Sequence, residues 1–342
     1  MNRSLTLLVL GTLMASVSLA AIPDPVKTDS GSVAGTSNQD ASVRMFKGIP
    51  FAAPPVGDLR WKTAQPPAKW DGVKMAAEFS PTCANGAGGG RGGQGKGGQG
   101  KGGAPNGNPD QAKAKAAPAA GRGPAGPAPS EDCLYINVWT PAKAAGDKLP
   151  VMIWTYGGGF TGGSGSDTWY NGEALAKKGV VVVTYNYRLG TFGFFAHPDL
   201  VAESPHHTTG NYAMTDMLAA LQWVQKNIAA FGGDPRKVTI DGESAGAIAV
   251  AAMVGSPEAK GLFIRAAAQS GAWMGLSIAK QKTMAEAEAQ GQTAAGTHSI
   301  ADLRAMSTEI GRAHVLTPVT LSHLVCRLLL EKKKNTSELQ SH

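Results

Sequence analysis

A short β-rich run, residues 237–240, leads into Gly242-Glu243-Ser244-Ala245-Gly246, and compact apolar helical sequence resumes from Ala247 to Val254. No other feature limits the fold so strongly. A strand that turns into a helix within two or three residues holds its turn residue at a strained backbone geometry. The residues two positions to either side would then collide with the neighbouring strand and helix if they carried side chains. Gly242 and Gly246 meet that demand, and the strained position falls on Ser244, whose Oγ such a turn presents to substrate. The pentapeptide alone is a weak signal in a chain with 45 glycines in 342 residues. Its place between strand and helix gives it weight.

The surrounding sequence supplies a sheet for this turn. Residues 134–139, 151–156 and 180–187 are rich in β-branched and aromatic side chains and are bounded by Gly, Pro or Asp, as strands buried on both faces are. A helix follows with Asn211 as its cap and Met214, Met217, Leu218, Leu221, Val224 and Ile228 at helical spacing. Gly232-Gly233 ends it ahead of Asp234-Pro235. One further strand, 263–269, follows the turn. The alternation predicts an α/β fold with a mostly parallel central sheet flanked by helices.

Directly after the 151–156 run stands Gly157-Gly158-Gly159-Phe160. Bare backbone N–H groups in such a loop can approach a substrate carbonyl and stabilise the oxyanion of a tetrahedral intermediate, commonly by about 3 kcal/mol per donor. The N–H of Ala245, at the start of a helix, is a third donor. A phosphate-binding loop is the competing reading of these glycines, but no Gly-Lys-Ser/Thr follows them.

Composition locates the excess glycine and the positive charge. The chain carries a net charge of +7, and much of it lies in a Gly/Ala/Pro/Lys-rich insert, 84–129, where Gly-Gly-Gln-Gly-Lys occurs twice in succession. Such sequence cannot bury enough apolar area to order itself and is expected to form a disordered surface loop. Its basic residues have no interleaved aromatics on which bases could stack, so no nucleic-acid partner is expected. Arg3, the apolar residues 5–14 and Ser18-Leu19-Ala20 read as a secretory signal peptide, 1–20, cleaved after Ala20. The mature protein is then expected to be secreted or periplasmic, without a membrane anchor. His206-His207 is an adjacent pair in a polar loop, and neither a metal nor a cofactor is called for.

Several stretches, in order and spacing over residues 31 to about 275, carry a resemblance to one family. They are Gly48-Ile49-Pro50-Phe51 with Pro54-Pro55-Val56-Gly57 and Leu59-Arg60-Trp61, then Glu131-Asp132-Cys133-Leu134-Tyr135-Ile136-Asn137-Val138-Trp139, then Asn186-Tyr187-Arg188-Leu189-Gly190. Gly210-Asn211, Phe231-Gly232-Gly233-Asp234-Pro235, the pentapeptide and Gln269-Ser270-Gly271 complete the set. The chain resembles the N-terminal portion of a type-B carboxylesterase, in the cholinesterase-like branch of the α/β-hydrolases. The resemblance implies hydrolysis of small-molecule carboxylic esters through an acyl-enzyme on Ser244, with Gly158, Gly159 and Ala245 as oxyanion donors. It also implies a Cys83–Cys133 disulfide and a structural ion pair between Arg60 and Glu131. Glu243 matches the acidic residue beside the nucleophile and takes a structural role. The sequence departs from the family in its swollen first disulfide loop and in Met217, where Gln is common.

The family places the triad acid and histidine on loops after later strands, and this resemblance puts both beyond residue 342. Glu258, Glu286, Glu288, Glu309, His298, His314, His323 and His342 are read as surface or tail residues. Residues 21–309 are thus a partial hydrolase domain, expected to be inactive by itself, with Arg188 awaiting partners from the absent part. The tail, 310–342, reads as foreign to the domain; stretches such as Thr336-Ser337-Glu338-Leu339 resemble translated sequencing adapter. A non-catalytic, cholinesterase-like binding or adhesion protein is the alternative.

Overall fold

The structure is a computed structural model that describes residues 22, 24–84, 128–272 and 282–308. The expected signal peptide, nearly all of the insert and the tail lie outside the described residues.

Ten strands run in chain order: β1 Val26–Lys27, β2 Ser32–Ala34, β3 Thr36–Ser37, β4 Arg44–Pro50, β5 Val73–Met75, β6 Tyr135–Thr140, β7 Leu149–Thr155, β8 Val181–Tyr185, β9 Gly233–Glu243 and β10 Arg265–Gln269. The α-helices among the described residues are α1 Glu173–Ala176, α2 Gly190–Phe194, α3 Pro198–Glu203, α4 Tyr212–Asn227, α5 Ala245–Gly255, α6 Met284–Ala295 and α7 Ile300–Ala305. Strands β1, β2 and β5 make a small sheet, and the main sheet has the order β10-β9-β7-β8-β6-β4-β3.

Pairing is parallel across β8, β7, β9 and β10, and antiparallel from β8 through β6 and β4 to β3. The sheet is therefore mixed, and the parallel half carries the turn at Ser244. Every residue of β8 is buried, as its unbroken run of β-branched and aromatic side chains requires in a strand covered on both faces. Strand β9 begins earlier than the sequence suggests. The sequence places its start at 237, whereas the register jumps from Leu149↔Gly233 to Val151↔Val238, so Pro235 sits in an irregularity of the ladder where its missing N–H breaks no ladder bond.

Helix α4 runs where its periodicity places it, with Asn211 at its N-cap position but without the side-chain bond of a cap. Asn211 has φ −120° and ψ 32° and makes no side-chain cap, because that ψ lies outside the extended region from which a capping side chain reaches back. Its Oδ1 is buried without a hydrogen-bond partner, and the N–H groups of Met214 and Thr215 bond instead to its carbonyl.

Two buried ion pairs and a disulfide fasten the sheet to its surroundings. Arg60 donates from Nε and Nη2 to both oxygens of Glu131 at 2.7 and 2.6 Å. The same guanidinium reaches the carbonyls of Leu303 at 2.5 Å and Met306 at 3.1 Å, so the end of α7 locks onto it. Arg188 does not await a partner. It donates Nε and Nη2 to Asp216 at 2.8 and 2.6 Å and Nη1 to the Lys62 carbonyl at 2.8 Å. The correction has a simple cause: Asp216 on α4 faces the loop after β8, a meeting that local sequence does not show. Cys83 and Cys133 form a disulfide with Cα atoms 4.9 Å apart. Among the described residues no helix is long and apolar enough to cross a membrane.

Candidate active site

Strand β9 ends at Glu243 and α5 begins at Ala245, leaving Ser244 alone in the turn. Its φ of 55° and ψ of −122° lie where non-glycine residues are costly, by about 1–3 kcal/mol. Such a geometry persists only if the surroundings fix it. The Ser244 N–H donates to the Gln269 carbonyl at 2.9 Å, and the Ile248 N–H donates to the Ser244 carbonyl at 3.1 Å. A Cβ on Gly242 would lie 2.6 Å from the Gly246 carbonyl and 3.0 Å from the Thr155 carbonyl, while one on Gly246 would overlap the Thr155 carbonyl. Gly246 is needed because the end of β7 crosses the turn, and Gly242 chiefly because the start of α5 folds back onto it.

The glycine loop begins where β7 ends and lies against the same turn. A Cβ on Gly157 would sit 2.8 Å from the Glu243 carboxylate and 3.0 Å from Ser244 Cβ. Gly158 has φ +102° and Gly159 φ +62°. The Gly158 carbonyl accepts the N–H groups of Thr161 at 3.1 Å and Gly162 at 3.2 Å, which folds the loop back on itself. Among the described residues no hydrogen bond employs the N–H of Gly158, Gly159 or Ala245. Two of these unused donors lie in the glycine loop and the third follows Ser244 directly in the chain.

A tyrosine pair anchors this loop. Tyr156 and Tyr187 stack with centroids 4.3 Å apart; the Tyr187 hydroxyl donates to the Tyr156 carbonyl at 2.7 Å and the Tyr156 hydroxyl to the Tyr187 carbonyl at 3.2 Å. Burial pushes both phenols well above their ordinary pKa, so they stay neutral donors. Glu243 lies close enough to Tyr170 that, after burial and Asp167, it adds to the rise of that phenol's pKa.

The residues singled out by sequence fall into two groups. Ser244, Ala245 and Glu243 share the turn, Gly157 packs against it ahead of Gly158 and Gly159 in the same loop, and Cys83, Cys133, Arg60 and Glu131 form a separate framework. Among the described residues no side chain hydrogen-bonds to Ser244 Oγ. Glu286 and Asp302 are occupied in capping boxes with Thr283 and Ser299, and His298 lies near Asp302. Sequence reasoning missed Asp241, a buried carboxylate three residues before Ser244. Among the described residues no cluster of His, Cys, Asp or Glu could hold a metal ion.

A strained serine between strand and helix, with glycines on both flanks and a glycine loop beside it, on a mixed sheet flanked by helices, defines an α/β-hydrolase. The sequence model of the Carboxylesterase family matches residues 23–307, and the chain belongs to that family. It is 45% identical over 264 residues to the fumonisin B1 esterase of Sphingopyxis macrogoltabida, covering 77% of this chain and 42% of that protein. It is 35% identical to the para-nitrobenzyl esterase of Bacillus subtilis over 92% of this chain and 55% of that one. A solved carboxylesterase from Geobacillus stearothermophilus superposes with a TM-score of 0.69 at 37% identity, over 89% of this chain and 56% of that one. The chain spans about half the length of these relatives.

Proposed function

We propose that the chain carries the acyl-accepting part of a serine carboxylic-ester hydrolase. Ser244 Oγ attacks the ester carbonyl, the developing oxyanion is held by the N–H groups of Gly158, Gly159 and Ala245, and the alcohol leaves to give an acyl-enzyme that water resolves. The observation that carries this reading is the position of Ser244: φ 55°, its N–H bonded to the end of β10 and its Cβ against Gly157, the first residue of the glycine loop. The substrate class is a small-molecule carboxylic ester, in keeping with relatives named as esterases. The general base and its acid partner come from a part of the whole protein outside this chain. The 342 residues alone therefore retain only the residual contribution of oxyanion donors and binding. The protein acts after export, with its Cys83–Cys133 disulfide formed in an oxidising compartment.

Hydrolysis of a short-chain p-nitrophenyl ester tests the reading. The whole protein turns the ester over and its Ser244→Ala variant does not, while the isolated chain shows little turnover. A folded whole protein without any Ser244-dependent hydrolysis contradicts the esterase and favours a binding protein. Brisk turnover by the chain alone, abolished by Ser244→Ala, contradicts the assignment of the base elsewhere.

A further inference from the structure

The acyl-transfer reading gives no part to Asp241. This carboxylate is 4% exposed, lies in β9 two residues before Glu243, and forms no ion pair among the described residues. Burying a carboxylate without a cation is costly unless hydrogen bonds replace its water. Among the described residues its bonds come from one group: Gln269 Nε2 donates to Oδ1 and Oδ2, each at 3.1 Å. Gln269 is the last residue of β10 and stands in register with Glu243, so its side chain reaches back along β9 to Asp241. Its main-chain carbonyl takes the Ser244 N–H at 2.9 Å. One residue therefore clamps the turn with its backbone while a buried charge holds its side chain.

The segment after Gln269 supports the same point. Ser270 and Ala272 have φ of 54° and 71°, and a Cβ on Gly271 would lie 2.7 Å from the Ser244 carbonyl. Strain thus occurs on both sides of the contact, in Ser244 and in the residues packed under it. All five residues of β10 are exposed, and within the described sheet the strand pairs along its whole length with β9. The Gln269–Asp241 bonds add a polar tie between the same two strands.

We propose that Asp241 is a positioning residue for the nucleophile: through Gln269 it holds the carbonyl that fixes Ser244 in its strained turn. The proposal rests on Ser244 being the nucleophile, but its test reads the turn without turnover. A failure of the esterase assay therefore leaves this result intact.

The measurement is amide hydrogen exchange on the full chain, resolved at Ser244 and at Ile153 in the middle of β7. In Asp241→Leu the Ser244 amide is expected to exchange roughly tenfold faster, from the loss of a hydrogen bond to a charged group, with Ile153 unchanged. Asp241→Asn, which keeps one acceptor oxygen, restores most of the protection. Gln269→Leu removes the donor at an exposed position, where folding is least at risk, and gives the same local acceleration. Unchanged exchange at Ser244 in Asp241→Leu or Gln269→Leu overturns the proposal. So does acceleration of Ser244 and Ile153 together, the signature of a merely structural carboxylate.

Discussion

Removing the Asp216 carboxylate should be among the most damaging single changes in this fold. Asp216 is fully buried in α4 and accepts three donors of Arg188: the backbone N–H at 3.0 Å, Nε at 2.8 Å and Nη2 at 2.6 Å. In Asp216→Ala the guanidinium, itself buried, keeps only the carbonyls of Lys62 at 2.8 Å and Tyr212 at 3.4 Å, and the Arg188 backbone N–H loses its acceptor. Breaking a buried ion pair from one side costs about 3–5 kcal/mol, and the orphaned backbone donor places this case toward the upper end. Urea denaturation followed by far-ultraviolet circular dichroism reads the loss. With a slope of about 2–3 kcal/mol per molar, the midpoint should fall by about 1–2 M. Asp216→Asn keeps the shape and one acceptor and should lose less, about 1–3 kcal/mol. An Asp216→Ala protein within about 1 kcal/mol of the parent, at unchanged slope, would refute the reasoning and restore the idea that Arg188 is waiting for another partner.

Three further outcomes are expected. Replacing both Cys83 and Cys133 by alanine releases a loop of 50 residues and should cost about 4 kcal/mol on the chain-entropy account, read as a lower urea midpoint. Gly246→Ala drives a methyl into the Thr155 carbonyl and should cost about 3 kcal/mol, whereas Gly159→Ala meets nothing closer than Thr161 Oγ1 at 3.8 Å and should cost only about 1–2 kcal/mol for its positive φ. Thermal melts that reverse this order contradict the packing argument. The hydrogen bonds from Arg304 hold the Glu203 carboxyl below its ordinary 4.5. Its stabilising contribution is therefore present above that value and lost as pH falls through the lowered one. Carboxyl carbon shifts should place its midpoint below 4.5, and Arg304→Met should raise it; an unmoved midpoint removes Arg304 as the cause.

The turn at Ser244 was readable because a local steric rule dictates it: β7 crosses close to Gly246, and the Gly246 backbone in turn crowds position 242, so only glycine fits at both. The central strands were readable for a related reason, since a strand buried on both faces, such as β8, carries an unbroken run of β-branched and aromatic side chains whose few hydroxyls are hydrogen-bonded. Contacts between distant segments were less readable. Arg60 and Glu131, 71 residues apart, came from family resemblance and not from spacing. Asp216 gave no local sign that it would meet Arg188. Asn211 has the residue type of a cap, yet tertiary packing sets its ψ and withholds the bond. Of the antiparallel half of the sheet, β6 was readable and β4 was not, because β4 carries a mixed pattern with a register shift between Phe46 and Ile49. Asp241 was hidden by its neighbours, since its meaning lies in Gln269 on the next strand.

Mass spectrometry of the whole protein after reaction with a serine-directed fluorophosphonate tests the central claim most directly. One adduct per chain is expected, on the peptide containing Ser244, absent in Ser244→Ala and blocked by prior incubation with an ester substrate. A folded protein that takes up no adduct, or carries it on another serine while Ser244 stays free, would contradict the assignment of Ser244 as the nucleophile.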